Sequence, residues 1–466
     1  MAEKVLVEAL RQIVGTANVL DDSVNLQLYQ YDGFLVERRP DAVVFVHSTE
    51  QVANVVRTCN QFGVPFVPRG GGTNVTGGTI PVHGGVVIEM IRMNSLLEVD
   101  ASGLCARVQP GMYNLEFGNA LAPMGYRFMP DPASQKAASL GGCVAENAGG
   151  PHCFKYGVTT NHILGLTVVL PDGTVAKLGG KAPENPGYDL TGLFVGSEGT
   201  FGICTEIVAK ILHLAESNRT LLVIYDSLEA GVETVSAIVA AGLIPTTLEM
   251  MDQLIIQSVE ASMPCGLPTD CATVLMIEVD GLEDDLDSQA RTIEALCRAH
   301  GAREVRVAKD PDEQALLWKG RRGAIGGVAR LAPSFMVADG SVPRTVLPQA
   351  MRKVAEVALK YDLRIPNVFH AGDGNLHPII LFDWRDPEET ARVQEAAKEI
   401  LQMCADFGGT ISGEHGVGIE KVEAMRLVMS EADIQAQRRV KQTFDPRNLA
   451  NPGKMFPQPE EVGHAR

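Results

Sequence analysis

Two short segments near the C-terminal end concentrate the side chains best suited to hold a cation. Phe369-His-Ala-Gly-Asp-Gly-Asn-Leu-His-Pro378 carries His370 and His377, and Gly413-Glu-His-Gly416 carries Glu414 followed by His415. Two imidazoles and one carboxylate make a ligand set for a divalent cation with coordination positions left open; such N and O donors suit Zn, Mn or Fe, with Zn or Mn expected here. A cation polarising a hydroxyl makes its proton easier to remove, and His415, beside the carboxylate, can act as the base. Far upstream, Pro68-Arg-Gly-Gly-Gly-Thr-Asn-Val-Thr-Gly-Gly78 reads as a backbone cradle for a pyrophosphate. A cofactor site and a metal-plus-base site on one chain point to a redox enzyme.

His370 and His377 are seven residues apart, so on one continuous strand they would face opposite sides. The intervening Ala-Gly-Asp-Gly-Asn predicts a turn, flanked by strand-like Ile365–Phe369 and Leu376–Leu381. A hairpin then brings the imidazoles together across the ladder, and Asp373 is assigned to the turn rather than to the ligand set. Taken singly, a histidine beside a turn is more often a hydrogen-bonding residue. Glu414 likewise has the role of an ion-pair partner open to it.

The elements that must position these groups follow from periodicity and turn chemistry. Residues 1–37 read as a helical lead ending in a turn at Tyr31-Asp-Gly33. From about residue 40 to about 215 the chain is strand-rich. Ala42–Val46 is a buried strand, Thr49 is an N-cap-like start for a helix to Phe62, and Val64–Val67 leads into the glycine loop. Gly85–Met90, Leu104–Gln109, Leu164–Leu170 and Thr174–Leu178 continue the series, the last two joined by a Pro171-Asp-Gly173 hairpin turn. Beyond about residue 217, strands are expected at 220–225, 245–250, 272–279, 303–308, 334–339, 364–370 and 376–382, with helices at 285–300 and 346–361. A helix over 420–444 and an irregular tail at 445–453 close the pattern.

Composition narrows the function classes. A net charge of −17 argues against nucleic-acid binding, which needs clustered Lys and Arg. Nine scattered cysteines without a CxxC pair leave no iron–sulfur cluster or Cys-rich zinc module, and their odd number suits a reducing compartment. The opening Met-Ala-Glu-Lys-Val-Leu-Val-Glu is a mixed-charge amphipathic helix rather than a signal peptide. No apolar run approaches the ~20 residues of a membrane span. The expectation is a cytoplasmic protein, peripheral to the inner face of a membrane only through partners.

The glycine loop carries Gly70, Gly71, Gly72, Gly77 and Gly78 directly after a strand, in a spacing that is neither G-x-G-x-x-G nor a Walker A. A glycine-rich surface turn is the alternative. Two more segments rich in small residues, Asp131–Gly150 and Gly196–Glu206, favour a long groove for a flat, phosphate-bearing ligand. Together the three segments resemble the FAD-binding domain of the vanillyl-alcohol-oxidase/p-cresol-methylhydroxylase superfamily over 38–216. The resemblance implies that Arg69, Gly70, Gly71, Gly72 and Thr73 cradle the FAD pyrophosphate, with Pro68, Asn74, Gly77 and Gly78 completing the loop. It implies that Ser139, Gly142 and Asn147 line the flavin, near Pro132 and Gly149. It assigns Gly196, Glu198 and Ile203 to the adenosine side or the ring, and Gly202 and Asn451 to the same cofactor. Thr73 stands where many members carry a flavin-linking histidine, so FAD is expected to be non-covalent.

Two arginines in Trp318-Lys-Gly-Arg-Arg322 could bind a substrate carboxylate, an arrangement that Arg serves better than Lys. Their alternative is a solvated helical face. Glu249-Met-Met-Asp252, Phe369–Pro378, Ser412–Gly418 and Asn451-Pro-Gly-Lys454 resemble the C-terminal domain of the FAD-linked D-2-hydroxyacid dehydrogenases. That resemblance implies that His370, His377 and Glu414 bind the metal, that His415 is the base and that Arg321 binds the substrate carboxylate. It implies an α+β protein, with a two-subdomain FAD-binding domain of the p-cresol-methylhydroxylase type, an α+β cap and a C-terminal helical tail. The expected boundaries are 1–37 for the lead, 38–216 for FAD binding, 217–410 for the cap and 411–466 for a segment returning to the FAD site. Members that oxidise D-2-hydroxyglutarate place a Thr and a Lys where Ile325 and Val337 stand, which favours a small 2-hydroxy acid such as glycolate or D-lactate. Electrons would pass to a quinone, a cytochrome or a partner subunit, and the glycolate-oxidising branch implies a second FAD subunit and an iron–sulfur subunit. The rivals are a D-2-hydroxyglutarate dehydrogenase, a non-catalytic FAD-binding subunit and a metal-dependent hydrolase.

Overall fold

The computed structural model describes residues 2–182 and 186–458. The chain forms two compact units. One comprises Met1–Ala148, Val158–His213 and His415–Arg466, the other Gly149–Gly157 and Leu214–Glu414.

In the first unit, a small sheet runs in the order Val19–Leu20, Ala42–Phe45, Val86–Glu89, Phe66–Arg69, with the last three strands parallel. The crossover helix Thr49–Phe62 buries Val52, Val55 and Val56 against Val44, Phe66 and Ile88. Its N-cap is Ser48, not Thr49: the Ser48 hydroxyl accepts from the Gln51 N–H at 3.2 Å. Gly63 ends the helix at φ 67°, a conformation glycine adopts without a Cβ clash. A second sheet is antiparallel, in the order Leu96–Asp100, Cys105–Val108, Ile203–Lys210, Ile163–Val169, Val175–Gly179. The Pro171-Asp-Gly173 turn joins its last two strands as expected, with Gly173 at φ 84° and the Leu170 N–H donating to Thr174 O. The helix expected over 420–444 is instead two, Met425–Val428 and Glu431–Phe444. Ser430 starts the second through a reciprocal capping box with Asp433, and its extended backbone breaks the run.

The second unit is built on a seven-stranded antiparallel sheet, in the order Glu304–Val307, Ser217–Tyr225, Thr273–Gly281, Thr247–Asp252, Val368–His370, Asn375–Leu376, Gly340–Ser341. One apolar cluster joins the sheet to residues of Leu228–Ala240, Glu283–Ala299, Leu347–Tyr361 and Pro387–Asp406. A separate cluster holds Ile255, Ile256 and Val259 of Gln253–Ser262 with Leu317 and Trp318 of Pro311–Arg322. Three strand expectations shorten. The 364–370 strand is Val368–His370, the 334–339 strand is Ser334–Val337, and 376–382 divides into Asn375–Leu376 and Ile379–Phe382. Pro366 and Pro378 lack the N–H a ladder needs. After Pro378 the chain leaves the large sheet, and Ile379–Phe382 pairs with Ser334–Val337 in a ribbon of its own. His377 therefore sits at the corner where the chain changes sheets.

Candidate active site

The glycine loop of the first unit is assembled by backbone contacts. A Cβ on Gly71 would lie 1.8 Å from the Ala137 carbonyl oxygen and one on Gly70 would lie 1.9 Å from Ser139 Oγ, so larger residues would push the segments apart. Among the described residues, the backbone N–H groups of Gly70, Gly71, Gly72 and Thr73 have no acceptor. Four consecutive donors of this kind form a nest for an anion. Asn74 braces the loop, its Oδ1 accepting from Thr76 N–H at 2.9 Å and Gly78 N–H at 2.7 Å. Ser139 caps Leu140–Glu146 by accepting from Gly142 N–H, and Asn147 ends that helix at φ 52°.

A cavity beside the loop is lined by ten of the expected cofactor residues: Pro68, Arg69, Gly70, Gly78, Ser139, Gly142, Glu198, Gly202, Ile203 and Asn451. Asn451 closes it from the C-terminal segment, donating to Gly78 O at 2.9 Å and Glu198 O at 2.7 Å. Asn451 Oδ1 and Glu146 Oε2 are buried without a hydrogen-bond partner among the described residues, so the cavity fits a ligand that carries donors. The donor nest suits the pyrophosphate of FAD, and these acceptors suit the N–H of its ring system and the O–H groups of its ribityl chain. Gly71, Gly72, Thr73, Asn74, Gly77, Pro132, Asn147 and Gly196 lie outside the cavity lining, and Gly149 belongs to the second unit.

Buried carboxyls gather on the same wall. Burial, with Glu198 and Asp32 nearby, raises Glu146 well above the usual carboxyl range. Burial also raises Glu198, although it accepts from the N–H groups of Val417 and Gly418. Lys454 is pushed down to about 8 by burial, against the pull of the three acids.

The second unit brings together His370, His377 and Glu414. Their imidazoles lie 5.1 Å apart between centroids. His370 Nε2 and His377 Nε2 converge on one carboxylate oxygen, Glu414 Oε1, at 3.2 and 3.3 Å. The direct cross-strand partner of His370 is Asn375, so His377 reaches it from two residues further along. Asp373 stays in the turn and accepts from the Asn375 N–H. Burial alone would lower both histidines, but Glu249 and Glu414 hold His370 well above its ordinary value, and Asp339 and Glu414 raise His377. Glu414 is held well below the carboxylate range because the two histidines outweigh its burial. The donor set of two ring nitrogens and a carboxylate fits a divalent cation.

Two carboxylates that carried no assigned role surround this cluster. Glu249, with a fully buried side chain, accepts from His370 Nδ1 at 2.6 Å and from Arg321 Nη2 at 2.5 Å. Asp339 approaches His377 Nε2 at 3.6 Å and accepts from Ser412 Oγ at 2.8 Å and from the N–H groups of Gly413 and Glu414. A lone Glu inside the apolar run Leu248-Glu-Met-Met251 was the available signal for the first; Ala338-Asp-Gly340 reads only as a turn. Arg321 is buried, so the solvated-face alternative does not hold for it; Arg322 is exposed and stacks 5.2 Å from the Trp318 ring. His415 belongs to the first unit, where its carbonyl oxygen accepts from Thr76 Oγ1 at 3.3 Å.

A parallel sheet feeding a glycine nest, an antiparallel sheet beside it and a separate antiparallel α+β unit define the class of flavin-binding oxidases. A family model described as "FAD binding domain" matches residues 40–179, and one described as "FAD linked oxidases, C-terminal domain" matches 214–455. Glycolate oxidase subunit GlcD of Escherichia coli K12 is 42% identical over 450 residues, covering 96% of this chain and 90% of the relative. GlcD of Bacillus subtilis is 41% identical, covering 98% and 97%. A crystal structure of p-cresol methylhydroxylase with substrate bound shares the fold, with a TM-score of 0.83 at 20% identity over 97% of this chain and 96% of that one. The chain belongs to the FAD-linked oxidases.

Proposed function

We propose that the protein oxidises a small 2-hydroxy acid, glycolate or D-lactate, to the 2-oxo acid. The observation that supports this most is the convergence of His370, His377 and Glu414 in a chain that also carries an FAD-binding domain. FAD, held without a covalent link in the cavity lined by Pro68, Gly70, Ser139 and Asn451, would supply the hydride acceptor for C2. His370, His377 and Glu414 would hold a Zn or Mn ion, which lowers the pKa of a hydroxyl bound to it. Arg321 binds the substrate carboxylate, and His415, the residue after Glu414, removes the hydroxyl proton. Ile325 and Val337, both apolar, pack on an apolar cluster of the second unit. That favours a monocarboxylate over D-2-hydroxyglutarate.

Electrons would leave to a quinone, a cytochrome or partner subunits, a second FAD subunit and an iron–sulfur subunit. No helix among the described residues is long and apolar enough to cross a membrane. We place the protein in the cytoplasm, meeting a membrane only through such partners.

The test is anaerobic: visible absorbance of the flavin followed on adding glycolate, D-lactate, L-lactate or D-2-hydroxyglutarate. Bleaching by glycolate or D-lactate and not by L-lactate is expected. A flavin-loaded, metal-loaded protein that no hydroxy acid bleaches would favour a non-catalytic subunit. A His415→Ala protein with normal turnover would remove the base assignment.

A further inference from the structure

The second unit contains a carboxylate that touches two of the groups assigned above and belongs to neither assignment. Glu249 lies on Thr247–Asp252, directly opposite His370 in the antiparallel pair with Val368–His370. Its neighbours Leu248, Met250 and Met251 are fully buried and apolar. A charged carboxylate in such a place is unfavourable unless both oxygens are satisfied. They are satisfied asymmetrically. Oε1 takes His370 Nδ1 at 2.6 Å, and Oε2 takes both Arg321 Nε at 2.8 Å and Arg321 Nη2 at 2.5 Å.

Each contact fixes what its partner can do next. An imidazole that gives its Nδ1 proton to Glu249 keeps the Nε2 lone pair for a cation, and here Nε2 already faces Glu414 Oε1 at 3.2 Å. A guanidinium held through Nε and Nη2 has one edge committed. Arg321 Nη1 makes no hydrogen bond to a described residue. Arg321 sits on Pro311–Arg322, 72 residues from Glu249, and His370 is 121 residues from it, so this carboxylate joins two side chains that are far apart along the chain.

We propose that Glu249 is a positioning residue that sets the separation between the cation-binding imidazole and the carboxylate-binding guanidinium. One oxygen orients His370 towards the ion that takes the substrate hydroxyl. The other orients Arg321 towards the substrate carboxylate. The distance between hydroxyl and carboxylate oxygens in a 2-hydroxy acid is short and fixed, so a rigid shared anchor selects for it. This inference rests on the reading of the site given under Proposed function.

The test uses the full-length, FAD-loaded protein and four variants: Glu249→Gln, Glu249→Asp, Arg321→Ala and His370→Ala. Zinc affinity is measured by competition with a chromophoric chelator, and KM and kcat for glycolate and D-lactate by steady-state turnover with an artificial electron acceptor. Flavin content and melting temperature report folding. Glu249→Gln should weaken zinc by about 10- to 100-fold and raise KM by about tenfold or more. Arg321→Ala should raise KM and weaken zinc less than Glu249→Gln does, whereas His370→Ala should abolish tight zinc binding. Glu249→Asp, which keeps the charge and shortens the arm, should show the same double loss if Glu249→Gln does not fold. A folded Glu249→Gln protein with zinc affinity and KM both unchanged overturns the role of Glu249 and leaves the site reading standing. A wild-type protein that binds no zinc or manganese overturns the metal reading and this inference with it.

Discussion

The glutamates at the candidate sites of the two units behave oppositely, although burial raises Asp252 and Asp373 of the second to about 6. In the first, Glu89 is pushed up to about 7 by burial despite Arg69 at 3.9 Å, and Glu146 and Glu198 are raised as well. In the second, Glu249 is fully buried and Glu414 half-buried, yet Arg321 and His370 hold Glu249 below the usual range, and the two histidines hold Glu414 well below it. What differs is the number of cations in hydrogen-bond contact. In the first unit burial outweighs the cations near these glutamates and raises them. In the second the cations in contact with Glu249 and Glu414 outweigh burial and lower them.

The contrast breaks most visibly if Glu414 is removed. Glu414→Ala should lose the ion, with turnover falling by about three orders of magnitude while flavin content stays unchanged; metal analysis and stopped-flow reduction check both halves. The next effect compares the two buried arginines in urea denaturation. Arg321→Ala strands the Glu249 charge and should lower stability by about 3–4 kcal/mol. Arg69→Ala should lower it by about 1–2 kcal/mol, because Glu89 can remain protonated. If both lose the same amount, the distinction drawn between the units is wrong.

A smaller effect depends on pH. Glu89 has a folded pKa raised to about 7 from 4.5, so the folded state holds the proton more tightly. Its contribution is therefore present below pH 4.5 and lost as pH rises through 7, by at most about 3 kcal/mol. Glu89→Gln should stabilise the protein at pH 8 relative to wild type and show little difference at pH 4.5. Equal differences at both values would contradict the raised carboxyl. Smallest, Asn451→Ala removes the two hydrogen bonds to Gly78 O and Glu198 O. A loss of about 1–2 kcal/mol is expected, with weaker FAD retention on dialysis; unchanged retention would separate Asn451 from the cofactor cavity.

Much of this was legible in the chain. The Pro171-Asp-Gly173 hairpin, the strand entering the glycine loop and the turn after His370 all rest on local chemistry, since Gly and Pro restrict or release φ wherever they stand. The hairpin argument brought His370 and His377 together by direct pairing; in the structure Asn375 takes the paired position, because the turn is only four residues long. The strand expected over 376–382 failed at Pro378, and the helix over 420–444 failed at Ser430, both signals readable but weighed below periodicity.

The sequence by itself determined which donors exist: two histidines and a glutamate in two glycine-punctuated segments, and a run of glycines after a strand. Their spacing follows from backbone sterics, which act over a few residues. Only the tertiary structure decided that Glu249 would meet both His370 and Arg321, that Asp339 would hold Glu414, and that Arg321 would be buried while Arg322 stays exposed. Those outcomes depend on which strands pair and which faces lose water. The cations brought into contact then decide which buried glutamates are lowered, and no local pattern encodes that.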